Sequence, residues 1–379
     1  MVTDMKRAAV ICEFNPFHNG HKFLLEKIRK EYADEIVCIM SGNFVQRGEL
    51  AVVNKYERAA AALLGGADIV AELPTPYALS SAAVFAQNGV RLAKALHCDI
   101  LCFGAEDNLD TLKEITDALD DYSVKELIRQ KMKDGDYYPR ALTEAVAERG
   151  EDAIADAMKQ PNNILALEYI KACRAEGIFP VAIRRKDVPH DSPNPVGNIA
   201  SGSCIRDLIA DNADVTAFTP MKIEKPAALS ALENAILYIL KTSSREEIAT
   251  LADVSEGLEN RIYEAAQEYN STEEILTAVK TKRYTHARLR RILLCALLGI
   301  TSDIQNTPVP YVRILGVRKR MENLIPYAAL PLVVRVKADY DKLDHSSKEI
   351  FNIDLKATQA MNLARNEHIN EFSQGIIKN

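Results

Sequence analysis

Over the first two hundred positions, apolar residues fall in short runs separated by amphipathic stretches of helical length. The runs Ala8–Cys12, Glu35–Met40, Asp68–Leu73, Asp99–Phe103 and Pro180–Arg184 predict five strands. Between them, Asn19–Tyr32, Asn54–Leu64, Ser80–Ala95 and Asn162–Arg174 predict helices, and the acidic stretch 106–156 reads as helical. Gly65 and Gly66 end the second helix, where left-handed geometry suits a cap. Strands alternating with helices of this length predict an α/β fold with a Rossmann-like parallel sheet. Such sheets bind ligands beyond the carboxyl ends of their strands, so the chain after Cys12, Met40, Phe103 and Arg185 is where chemistry is expected.

Residues 186–202 hold three prolines and two glycines and predict a loop; Ser203–Ala210 predicts a short helix and 211–226 a linker. Beyond it the pattern is almost wholly helical: Ala227–Lys241, Ser244–Leu251, Leu258–Tyr269, Ser271–Thr281 and Arg283–Ile300. Tyr311–Leu315 and Leu332–Val336 read as short strands. The change of pattern near 215 predicts two domains, 1–215 and a mainly helical 216–379. A length of 379 residues fits two domains at roughly 100–200 residues each.

Composition changes this picture little. The apolar fraction, 47%, is enough to fill a core. The longest apolar run, Ile292–Leu298, has seven residues, far short of the roughly 18 or more a spanning helix needs. The N-terminus has no signal-peptide pattern, so a soluble, cytoplasmic protein without a membrane partner is expected. The seven cysteines are scattered with no C-x-x-C pair, which argues against a disulfide framework or structural zinc, and no metal ligands are assigned.

Charge changes it more. The net charge is −6, yet Lys280–Arg320 carries ten Lys/Arg against the single acid Asp303. On a helical wheel Arg283, Arg288, Arg290 and Arg291 fall on one side, with Leu289, Ile292, Leu293, Ala296 and Ile300 on the other. That arrangement predicts a docked helix with a cationic outer face, with Tyr284 and Tyr311 available for stacking, and points to RNA.

The loop after the first strand reads Glu13-Phe14-Asn15-Pro16-Phe17-His18-Asn19-Gly20-His21. Two histidines at i and i+3 share one face of a helix whose exposed amides and dipole attract an anion. Gly20 lets a phosphate or base approach, and imidazole donors can stabilise charge that develops in phosphoryl transfer. A second element, Ala200-Ser201-Gly202-Ser203-Cys204-Ile205-Arg206, opens a helix with Ser203 as its expected N-cap. Its amides and the Arg206 guanidinium suit β- and γ-phosphates.

The H-x-G-H followed late in the chain by Ser-x-Ile-Arg resembles the nucleotidyltransferases related to class I aminoacyl-tRNA synthetases. The fuller series, with Met40–Glu49, Lys55–Ala59, Ala71–Pro74, Phe103–Glu106, Pro161–Leu165 and Ser201–Arg206 in order, resembles the bacterial tRNA(Met) cytidine acetate ligase family. The resemblance is close over about residues 8–210 and looser over the basic helical tail. It implies attack of acetate on the α-phosphate of ATP to give acetyl-adenylate. Transfer to the wobble cytidine of elongator tRNA(Met) then gives N(4)-acetylcytidine.

The resemblance also implies roles for particular residues. His18 and His21 would be catalytic. Ile11, Cys12, Glu13, Phe14, Asn15, Pro16, Phe17, Asn19 and Gly20 would line ATP, completed by Gly104, Asn162, an arginine at 184 or 185 (Arg184 or Arg185), Ser203 and Arg206. Mg²⁺ would arrive with ATP rather than in a protein cage. Gln46, Arg47, Lys55 and Arg58 would face the acyl or cytidine site, and Arg283, Arg288, Arg290 and Arg291 would contact tRNA. No protein partner is implied. No Lys-x-x-Lys phosphate loop occurs, which leaves more of the pyrophosphate charge to Arg206 and helix dipoles. Two other readings remain at this level: an adenylyltransferase acting on a small phosphorylated metabolite, and a non-catalytic RNA-binding protein with a relict nucleotide pocket.

Overall fold

The structure is a computed structural model and describes residues 6–133, 138–148, 157, 160–184, 195–255, 257–281 and 283–379. Among the described residues, ten strands follow in chain order: β1 (Arg7–Cys12), β2 (Glu35–Ser41), β3 (Phe44–Val45), β4 (Glu49–Leu50), β5 (Ile69–Leu73), β6 (Ile100–Ala105), β7 (Phe179–Arg184), β8 (Val312–Val317), β9 (Leu332–Val333) and β10 (Ile377–Lys378). The main sheet runs β10-β8-β5-β2-β1-β6-β7, with β9 also on β8, while β3 and β4 form a separate hairpin. β5, β2, β1, β6 and β7 are mutually parallel, as the alternation of strands and helices predicts. The strand order reverses between β1 and β6, and a crevice opens at such a point.

Side chains alternate across this sheet. Ala9, Ile11, Val37, Ile39, Ile69 and Ala71 face one core, which the 82–95 and 161–176 helices cover through Phe85, Val90, Ala166 and Ile170. Ala8, Val10, Ile36, Cys38, Met40 and Val70 face the other, covered by Leu25 and Ile28 of the 19–31 helix and Ala59 and Leu63 of the 55–64 helix. All of β2 is buried, as a strand covered on both faces must be.

The second half is mainly helical, but its strands do not form a sheet of their own. Helices between 233 and 298 share a core with the β3–β4 hairpin and with Ile353, Ala357 and Met361 of the 345–365 helix. However, β8 pairs antiparallel with β5, and β9 and β10 attach to β8. Residues far beyond 215 therefore complete the first sheet. Of the expected strand Leu332–Val336, only Leu332–Val333 is extended; Val336–Asp339 turns helical. The acidic stretch forms helices Leu109–Asp120, Tyr122–Lys133 and Tyr138–Ala147, and part of its remainder lies outside the described residues. The helix expected from Ser203 starts at Gly202, with Ser201 as its N-cap: the Ser201 hydroxyl accepts from the Cys204 amide at 3.1 Å. No helix is long and apolar enough to cross a membrane among the described residues.

Candidate active site

β1 delivers the chain to the crevice at Cys12. Phe14 takes a left-handed φ of 49°, and the Asn15–Pro16 peptide is cis. His18 then caps the 19–31 helix with its own ring: its Nδ1 accepts from the Gly20 amide at 3.1 Å. The His18 amide in turn donates to Nδ1 of His21 at 3.2 Å. With both Nδ1 atoms accepting, the neutral rings carry their protons on Nε2. The rings stack with centroids 3.6 Å apart, and His21 leans on Phe14 and Phe17 at 4.8 and 5.7 Å. Both phenylalanines are buried, which gives the pair a rigid aromatic floor. No acid occupies the first turn of the helix, so its positive end is left for an anion. Gly20 has a local reason beyond ligand approach: a Cβ there would lie 3.0 Å from the His18 ring.

The second motif arrives beside the first. A Cβ at Gly202 would stand 3.4 Å from an Arg206 nitrogen and 3.9 Å from Nε2 of His18. Arg206 donates to the Asn15 carbonyl at 3.0 Å and lies 3.6 Å from the Glu49 carboxylate. The Ser201 and Ser203 hydroxyls are 3.0 Å apart. Across the crevice, Gly104 ends β6 and Arg184 ends β7, and Asn162 donates to Glu106 at 2.6 Å.

These elements enclose a cavity of about 430 Å³. Of the expected residues, Ile11, Cys12, Glu13, Phe14, Asn15, His18, Gly20, His21, Gln46, Arg47, Gly104, Asn162, Arg184 and Arg206 line it. Pro16, Phe17, Asn19 and Ser203 do not. Pro16 and Phe17 are buried beneath the loop. The Asn19 amide group donates to the Asn198 and Ala217 carbonyls and fastens the linker instead. Arg185 lies outside the described residues.

Lys55 and Arg58 need a larger correction, because neither lines the cavity. Lys55 is 1% exposed and sits 2.8 Å from both Glu72 and Glu371. Arg58 is fully buried and donates to the carbonyls of Glu13, Ser41, Gly42 and Val53. Burial pushes its guanidinium down to about 10, and its work is to tie the loop after β1 to the loop after β2. The arginines of the 286–298 helix are likewise engaged within the fold, though only Arg291 is buried. Arg291 is 7% exposed and paired with Asp253, Arg288 donates to the Asp253 carbonyl and Ser255, and Arg290 pairs with Glu49. Arg283 precedes the helix and is exposed.

The residues missed are mostly apolar: Ala82, Phe85, Phe103, Ile164, Leu165, Tyr169, Ile183 and Ile199, together with Ser201 and Gly202 of the second motif. One signal was present. Asn162, Leu165 and Tyr169 stand at i, i+3 and i+7, on one helix face. Burial raises the Glu13 carboxyl, with the Gln46 amide and then Arg206 and Arg47 pulling it back. Burial also pushes the Cys12 thiol well up, which leaves it inert near neutral pH.

A parallel sheet whose order reverses at a cavity, with paired histidines on the first helix, defines an H-x-G-H nucleotidyltransferase. The sequence profile described as HIGH Nucleotidyl Transferase matches residues 5–374. A protein of Acetivibrio thermocellus named tRNA(Met) cytidine acetate ligase is 34% identical over 98% of this chain and 100% of its own length. One of the same name from Staphylococcus saprophyticus is 31% identical over 99% and 100%. The crystal structure of Thermotoga maritima TmcAL bound with alpha-thio ATP superposes with a TM-score of 0.89 at 26% identity, covering 99% of both chains. Its apo form I gives 0.90. The chain belongs to the tRNA(Met) cytidine acetate ligase family of HIGH nucleotidyltransferases.

Proposed function

We propose that this protein activates acetate with ATP and acetylates the wobble cytidine of elongator tRNA(Met). The observation that carries the reading is the convergence of His18, His21, Gly202 and Arg206 on one cavity from motifs that lie far apart in the chain. Alpha-thio ATP in the Thermotoga relative supports ATP as the nucleotide. In the first step an acetate oxygen bonds to the α-phosphorus and pyrophosphate leaves. The Nε2 protons of His18 and His21 meet the charge that builds on the phosphorus oxygens, while Arg206 and the start of the 202–210 helix hold the leaving pyrophosphate. Mg²⁺ arriving with ATP would supply further neutralisation of the phosphate charge beside Arg206. Such an enzyme works in the cytoplasm, where its tRNA is. Arg283, together with the partly exposed Arg288 and Arg290, offers phosphate contacts.

Acetate-dependent exchange of pyrophosphate into ATP, without RNA, tests the first step. Mass analysis of tRNA(Met) nucleosides after reaction with acetate tests the second. Exchange that needs a phosphorylated metabolite in place of acetate would overturn the reading.

A further inference from the structure

One side of the cavity is built differently from the other. Ile11, Phe85, Phe103, Leu165 and Tyr169 wall it, and all belong to the core on the 82–95 side of the sheet. The histidines instead stand on Phe14 and Phe17, in the core of the opposite face. Two polar groups interrupt this apolar wall. One is Glu13, the single carboxylate among the described residues that line the cavity, whose Oε1 accepts from the Gln46 amide at 2.8 Å. The other is the Tyr169 hydroxyl. Tyr169 is 4% exposed, and among the described residues its hydroxyl has no hydrogen-bond partner. The buried hydroxyls of Tyr77 and Tyr311, by contrast, donate to Thr307 and Asp354. The Tyr169 hydroxyl is committed to no protein group among the described residues and belongs to a side chain that lines the cavity, so a ligand there can accept its proton.

The wall specifies that ligand. Phe85, Phe103 and Tyr169 suit a flat aromatic ring. Glu13 asks for a donor and disfavours an anion, which argues against acetate at this spot. Tyr169 offers a proton to an acceptor. Cytosine presents aromatic faces, an N4 amino donor, and N3 and O2 acceptors along one edge. We propose that this aromatic side of the cavity receives the cytosine ring of the acceptor nucleotide, with Tyr169 donating to N3 or O2 and Glu13 taking the N4 proton.

Acetyl transfer then balances as follows. The N4 lone pair bonds to the carbonyl carbon of acetyl-adenylate, the bond from that carbon to the phosphate oxygen breaks, and AMP leaves with the electron pair. The surplus N4 proton passes to the Glu13 carboxylate and from there to water. Burial raises the proton affinity of the Glu13 carboxylate, which favours its taking that proton. This inference rests on the acetate-ligase reading above.

Tyr169→Phe removes only the hydroxyl, and Glu13→Gln keeps an oxygen for the Gln46 amide. Each is compared with the wild type for melting temperature, acetate-dependent exchange and acetylation of tRNA(Met). Tyr169→Phe is expected to lower acetylation about tenfold further than exchange, through the lost hydrogen bond to the base. Glu13→Gln is expected to lower acetylation on the order of 100-fold further than exchange and to remove the rise of the transfer rate with pH. A Tyr169→Phe enzyme whose main defect is a raised KM for ATP would place adenine there. A raised KM for acetate would place the carboxylate there, and equal losses in both steps would leave the hydroxyl idle. Each of these three outcomes overturns the proposal. A wild type that shows no acetate-dependent exchange overturns the acetate-ligase reading instead.

Discussion

The Glu13–His21 loop and the Lys280–Arg320 run both looked functional in sequence, and the fold treats them in opposite ways. In the loop the histidine pair is set by local contacts: His18 takes the Gly20 amide, His21 takes the His18 amide, and the rings stack. In the basic run the partners come from elsewhere. Arg313 pairs with Glu72 and Glu371, Arg318 and Arg320 with Asp68, Arg290 with Glu49, and Arg291 with Asp253. A stretch with one acid in forty-one residues is thus largely neutralised in space. Local geometry survives folding, whereas local charge does not.

The largest expected effect falls on the loop. His21→Ala should slow acetate-dependent exchange by on the order of 100–1,000-fold, the usual loss for one transition-state donor. His18→Ala should lose a similar factor and in addition its helix cap, worth about 1 kcal/mol. His18→Asn separates the two roles, because asparagine caps as well. If His18→Asn restored both melting temperature and exchange, His18 would be a cap alone, and the two regions would differ less than drawn here.

Next comes the buried half of the charge network. Lys55→Met leaves Glu72 and Glu371 facing each other with Arg313 alone to balance them. Breaking a buried pair from one side typically costs 3–5 kcal/mol, so urea unfolding should shift by about that much. Unchanged stability with lost tRNA acetylation would restore Lys55 to a substrate-facing role.

The contrast also accounts for what the sequence made legible. Strands β1, β2, β5, β6 and β7 and the cavity motifs follow from periods and spacings within a few residues of one another. β8 was read as a strand, but its place against β5 depends on pairing across some 240 residues, which no local pattern carries. Lys55 and Arg58 failed for the same reason. The Lys55 partner Glu371 is more than 300 residues away, and Arg58 is spent on carbonyls that give no side-chain signal. Phe85, Phe103 and Tyr169 line the cavity with side chains that in sequence look like core, and most of their surface is indeed core.

The smallest effect lies where sequence raised the largest expectation. If Arg288, Arg290 and Arg291 all touched tRNA phosphates, replacing them together by Gln would reduce the slope of log K against log salt by roughly two to three. The structure predicts less. Arg291 is committed to Asp253, and Arg288 to the Asp253 carbonyl and Ser255, so neither guanidinium is offered whole to a phosphate. Arg290 shares Glu49 with Arg206, and Gly48, at a φ of +73°, brings its turn so near the helix that a Cβ would lie 2.7 Å from the Arg291 amide. The triple variant should therefore change the slope by about one at most and chiefly loosen the packing of that turn, seen as a lower melting temperature. Arg283→Gln, on the exposed segment before the helix, should by itself take about 0.7–0.9 from the slope. Salt-titrated tRNA binding of both variants decides between the two. A drop of two or more in the triple variant would mean that tRNA pulls these arginines off their internal partners, and the 286–298 helix would then be an RNA surface after all.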